Sequence, residues 1–232
     1  MIRDVSVTRC FQGVTIRQYE ANPRLLIERV AARDLWGPGP GKWPGTDGPP
    51  SRLRPGGFIG SDGLVCHSLR DAVVRDCSTL GEQFASFKLV NPQRVEVSGL
   101  RGIQLMVQGT SDLAWKIDKE PSRDTFVRNC VFDKSLGSGE IADEGNGIQV
   151  SWNVLGLRIE NCTLIASGHN GHGIQFAGDA HGTVVGCTFD GFNGTRGTNP
   201  AHAVEVLDRS SVNEDFAVVN TFRNQRRILL RS

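Results

Sequence analysis

The chain has 232 residues, enough for one sizeable domain with its own core. Its 26 basic residues nearly balance 25 acidic ones, a formal net charge of +1, so no global basic field points to a nucleic-acid partner. No apolar run reaches the length of about 18 residues that a membrane-spanning helix needs, and the opening Met1-Ile-Arg-Asp-Val-Ser-Val lacks the apolar core of a signal peptide. The expectation is a protein made in the cytoplasm, with no membrane insertion.

In chain order, a short apolar segment recurs. It runs over 5–10, 26–30, 73–77, 95–100, 126–130, 157–162, 184–187 and 217–220, ending at Cys10, Val30, Cys77, Leu100, Cys130, Cys162, Cys187 and Asn220. A second strand-like segment begins at 63, 86, 114, 147, 173 and 203, in steps of 23, 28, 33, 26 and 30 residues. Strand formers dominate both segments and few stretches keep a helical period, so the chain reads as all-β. A repeat of short strands at this spacing cannot bury its apolar face within one unit, so successive units must stack. The prediction is one solenoid domain over 1–232, of eight to nine coils, with a Pro/Gly-rich loop insertion at about 36–62. Cys10, Cys77, Cys130, Cys162 and Cys187 then share an inward column, and Cys66 takes the inward place held by Val150, Phe176 and Val206. All six read as small core residues in a stack, buried as free thiols, with a disulfide between neighbouring coils as the alternative; no Cys-x-x-Cys spacing argues for zinc.

This pattern resembles the right-handed parallel β-helix of the pectate-lyase-like superfamily, over nearly the whole chain. The variable segments between the cysteine column and the next strand leave each coil at one corner, which predicts a groove beside the Gly-Ile-Gln strands. Strand alternation sends Ile148, Ile174 and Val204 inward, and sends Gln149, Gln175 and Glu205 outward. With Asn146, His172 and His202 just before these strands, one polar patch is expected. Asp143, Glu144 and His169 lie on the loops that feed it, and Lys116 is assigned to the same outward column from the segment at 114–117.

A glycosidase needs two carboxylates about 5–10 Å apart, which Glu205 with Asp143 or Glu144 would supply. A β-eliminating lyase needs a base and a cation for the uronate, roles open to His172 or His202 and to Lys116. Asn146, Gln149, Gln175 and His169 are the expected substrate-binding groups. His169-x-x-His172 lacks a defined third ligand, so no metal and no cofactor is assigned.

The Gly171-His172-Gly173-Ile174 tetrad resembles a segment of the polygalacturonases. Gly145-Asn146 in the coil before it and Ala203-Val204-Glu205 in the coil after it depart from that family's aspartate cluster and Arg-Ile-Lys, so its activity is not carried over. No capping helix precedes the first coil strand, which points to a longer protein or to partner subunits over the ends. Long β-helices without secretion signals resemble phage tailspikes and other virion tail proteins. Those are typically homotrimers, found on the virion or outside the cell, that bind or cut host-surface polysaccharide. The leading expectation is a carbohydrate-polymer-recognising β-helix of this type, with or without depolymerase activity. A free polysaccharide lyase or glycoside hydrolase is the first alternative, and a structural assembly module without catalysis the second.

Overall fold

The Asp-Cys, Asn-Cys and Gly-Leu pairs that mark the repeat each form a backbone corner. In the computed structural model, Asp4, Arg29, Asp76, Gly99, Asn129, Asn161 and Gly186 all adopt left-handed φ angles, from 50° to 65°. Asn, Asp and Gly reach that region most readily, which is why they recur there. The residue after each corner joins a column, Val5, Val30, Cys77, Leu100, Cys130, Cys162 and Cys187. Its carbonyl accepts an N–H from the next coil at 2.8–3.0 Å. Asn220 ends the column, accepting the Cys187 N–H at 2.8 Å through Oδ1.

The structure describes residues 1–8, 13–18, 25–33, 62–80, 86–109, 121–136, 145–167, 171–194, 201–225 and 227–231. They form three all-parallel sheets of eight strands each, together with a two-stranded corner ribbon. Every coil contributes one strand to each large sheet in turn. Coil six, for example, runs Leu157–Glu160, Thr163–Ile165 and Ile174–Ala177. The architecture is a parallel β-helix of eight coils. Its core is built from in-register ladders such as Ile27, Val74, Val97, Val127, Ile159 and Val184 in the first sheet. All six are at most 1 % exposed. No helix among the described residues is long and apolar enough to cross a membrane.

Cys66 stacks in register with Leu89, Val107, Val150, Phe176 and Val206, at the inward position expected for it. Cys66, Cys77, Cys130, Cys162 and Cys187 are buried free thiols. Burial pushes the Cys66 thiol up and the Cys77 thiol up to about 11, so both stay protonated at neutral pH.

Two register assignments are corrected. The column position in the first coil is Val5, not Cys10, which lies outside the described residues. The third-sheet rung between Phe87–Val90 and Ile148–Ser151 is Leu105–Gln108, not the segment at 114–117. That segment, with Lys116, and residues 36–61 of the Pro/Gly-rich stretch lie outside the described residues. The physical reason for the second correction is a very short turn. Coil four passes from Arg101–Gly102 to Leu105 through Ile103 and Gln104 alone, whereas in coil two residues 34–63 stand in the sequence between Ala31–Arg33 and Leu64–His67.

Candidate functional site

The third sheet displays an outward column in strict register. It reads Thr15, Val65, Lys88, Met106, Gln149, Gln175, Glu205 and Leu230. The column is polar over three successive coils, five to seven, at Gln149, Gln175 and Glu205. At the start of the same strands stand Asn146, His172 and His202, joined by Gly147 N–H to His172 O at 2.9 Å and Gly173 N–H to His202 O at 3.0 Å. The expected patch therefore exists, and most of it is buried: His172, His202 and Glu205 are 7 %, 8 % and 3 % exposed. Gln149 and Gln175 are half-buried and face outward.

The side chains form a directional relay. Gln175 Nε2 donates to Glu205 Oε2 at 2.6 Å, and Gln175 Oε1 accepts from Asn146 Nδ2 at 3.1 Å. Asn146 Oδ1 in turn accepts the His172 backbone N–H at 3.0 Å. A carboxylate only accepts, so it fixes the orientation of Gln175, which fixes that of Asn146. From the other side, the His202 backbone N–H donates to His172 Nδ1 at 3.1 Å, while His172 Nε2 lies 3.3 Å from Glu205 Oε2. Nδ1 must then be the unprotonated nitrogen, and the neutral ring carries its proton on Nε2, aimed at the carboxylate. The His172 and His202 rings stack at 5.7 Å and 18°.

Burial is the main cause holding His172 below its ordinary pKa. Glu205 opposes the shift, and His202 and Lys134 add to it. Lys134 is a site residue that sequence reasoning missed. It follows Val131–Asp133 in a 3-10 turn, is 2 % exposed, and its Nζ donates to the Gly145 carbonyl beside Asn146. A buried lysine among polar residues leaves no periodic trace, and the short helical turn that places it falls outside the strand repeat.

Of the expected site residues, Asn146, His172, Gln175, His202 and Glu205 are brought together, and Gln149 stacks on Gln175 one coil away. Asp143, Glu144, Lys116 and His169 lie outside the described residues. Among the described residues no group of three or more His, Cys, Asp or Glu is placed to hold a metal ion.

Chemically, the site is a buried carboxylate oriented by two neutral donors on one oxygen, Oε2. No protein-family model matches the chain, and no curated protein or solved structure shows detectable similarity to it.

Proposed function

We propose that this β-helix recognises a carbohydrate polymer laid along its third sheet, and that Glu205 serves as the acid–base group of a depolymerase. The observation that carries this reading is the Asn146–Gln175–Glu205–His172 relay, built in register across coils five to seven. Coils repeat every ~4.8 Å, so a row of amide and carboxylate groups on successive coils presents a periodic set of hydroxyl-binding partners. A repetitive saccharide suits such a row better than a small metabolite does.

In this reading His172 is a positioning residue. Its Nδ1 is occupied by the His202 N–H, so it orients Glu205 rather than abstracting a proton itself. Lys134 takes the place given to Lys116 as the nearby cation, and it disfavours a charge on His172. Hydrolysis would need a second carboxylate beside Glu205, the role the sequence offers to Asp143 or Glu144. Elimination would use Glu205 as base toward a uronate C5 proton. The setting we favour is a virion-tail or tailspike-like assembly of identical copies acting on a host-surface glycan, with a free lyase or hydrolase as the alternative.

A depolymerisation screen tests the proposal, reading reducing ends for hydrolysis and ultraviolet absorbance of unsaturated uronates for elimination. Activity should disappear in a folded Glu205→Gln protein. A glycan array and screen both blank for the wild-type protein would overturn the reading. A purely structural assembly module is the second reading. It predicts a stable oligomer by light scattering and no glycan binding.

A further inference from the structure

One corner of coil five carries a bulky residue where the aligned corners carry small or polar ones. Where the third-sheet strands end, backbone hydrogen bonds align Ser68, Asn91, Gly109, Trp152 and Gly178 on successive coils, from Ser68 N–H to Val90 O at 2.8 Å through Trp152 N–H to Ala177 O at 3.1 Å. Ser68, Asn91 and Gly178 hold left-handed φ angles of 54°, 52° and 65°, which such small or polar residues adopt readily. Trp152 holds 62° at the same corner, where a bulky side chain is strained. It is also 44 % exposed, so burial does not compensate for that strain.

The corner is shaped around the indole. A Cβ added to Gly178 would lie 3.0 Å from Trp152 Cδ1, so glycine in coil six leaves room for the edge of the indole. Gly109 N–H to Ser151 O, at 2.9 Å, pins the backbone from the other side. Trp152 stands three residues beyond Gln149 on the same coil, about 10 Å along the strand direction.

We infer that Trp152 is an aromatic platform that stacks on the apolar C–H face of a sugar ring, and that it extends the relay site to a neighbouring saccharide unit. An indole face offers a large rigid surface at low entropic cost and attracts C–H groups. The inference rests on the polysaccharide reading above.

Affinity electrophoresis in gels containing polygalacturonate, hyaluronate or dextran tests it, with Trp152→Asn, Trp152→Phe and Gln175→Ala beside the wild type. Asn suits a left-handed φ, so Trp152→Asn is expected to melt at or above the wild-type temperature while its affinity falls about tenfold, with partial recovery in Trp152→Phe. A lower melting temperature for Trp152→Asn would show that the ring is structural cover, and would overturn the inference. So would unchanged retardation by the gel. If Gln175→Ala weakens binding and Trp152→Asn does not, only the platform fails. If the wild type is retarded in no gel, the polysaccharide reading fails and takes the platform with it.

Discussion

Two glutamates are almost fully buried on opposite parts of this solenoid, and their surroundings differ in kind. Glu28, in the first sheet at coil two, is 1 % exposed and meets three arginines, Arg3, Arg29 and Arg75. The Arg75 hydrogen bond is the main cause holding its carboxyl below the ordinary value of 4.5, with the charges of Arg29 and Arg3 acting in the same sense. Glu205, in the third sheet at coil seven, is 3 % exposed and is held by an amide and a neutral imidazole instead. Glu28 is saturated with positive charge and ties three coils together. Glu205 takes an amide and an imidazole on Oε2, with the buried Lys134 in the same patch, and mixed polar surroundings of this kind are common at reactive sites. Burial alone therefore does not separate a structural carboxylate from a candidate catalytic one. The chemistry of the donors does.

The largest expected contrast is catalytic. Glu205→Gln should lower polysaccharide cleavage by about 10²–10⁴-fold, while Glu28→Gln leaves the rate of the folded protein unchanged. Equal losses in both variants would erase the distinction. Next comes the support of the Glu205 relay. A Cβ at Gly173 would sit 2.5 Å from Ala203 O and 2.7 Å from Phe189 Cδ1. Because one neighbour is backbone, Gly173→Ala should destabilise the fold by about 1–3 kcal/mol in urea titrations and disturb the strand carrying Gln175.

A smaller effect is set by pH. His172 is buried neutral, with a folded pKa below its ordinary 6.5, so the unfolded chain takes up the proton first on acidification. Stability should be full above 6.5 and decline as pH falls below it toward the folded value. His172→Gln should flatten that decline in melts from about pH 7 to about pH 5.5, leaving a residual slope of the same sign from His67, which burial also lowers. The smallest effect is at Glu28, whose arginine partners are 42–47 % exposed and reachable by salt. Its lowered pKa makes its contribution present above 4.5 and lost as pH falls through the folded value. Glu28→Gln should remove that acid dependence, and high salt should shrink the difference between the two proteins.

The fold was legible because a β-helix writes its geometry into the chain once per coil. Asp76-Cys77, Asn129-Cys130 and Asn161-Cys162 each pair a residue that tolerates a left-handed corner with a small inward one. Spacing then implied which side chains share a column, so Gln149, Gln175 and Glu205 were predictable neighbours. Where the repeat is irregular, the pattern loses its meaning. Leu105–Gln108 is buried on both faces, so no alternation marks it as a strand, and the two-residue turn before it shortens the step from Phe87. The sequence by itself determined the stacking of strands, the inward thiols and the grouping of the polar patch, since these follow from local periodicity. Only the tertiary structure decided that Lys134 enters that patch, that the His202 N–H occupies His172 Nδ1, and that an amide and an imidazole meet Glu205 Oε2 while three arginines meet Glu28. Those outcomes depend on which hydrogen-bond partners meet across coils some 25–50 residues apart, and no local pattern encodes such a meeting.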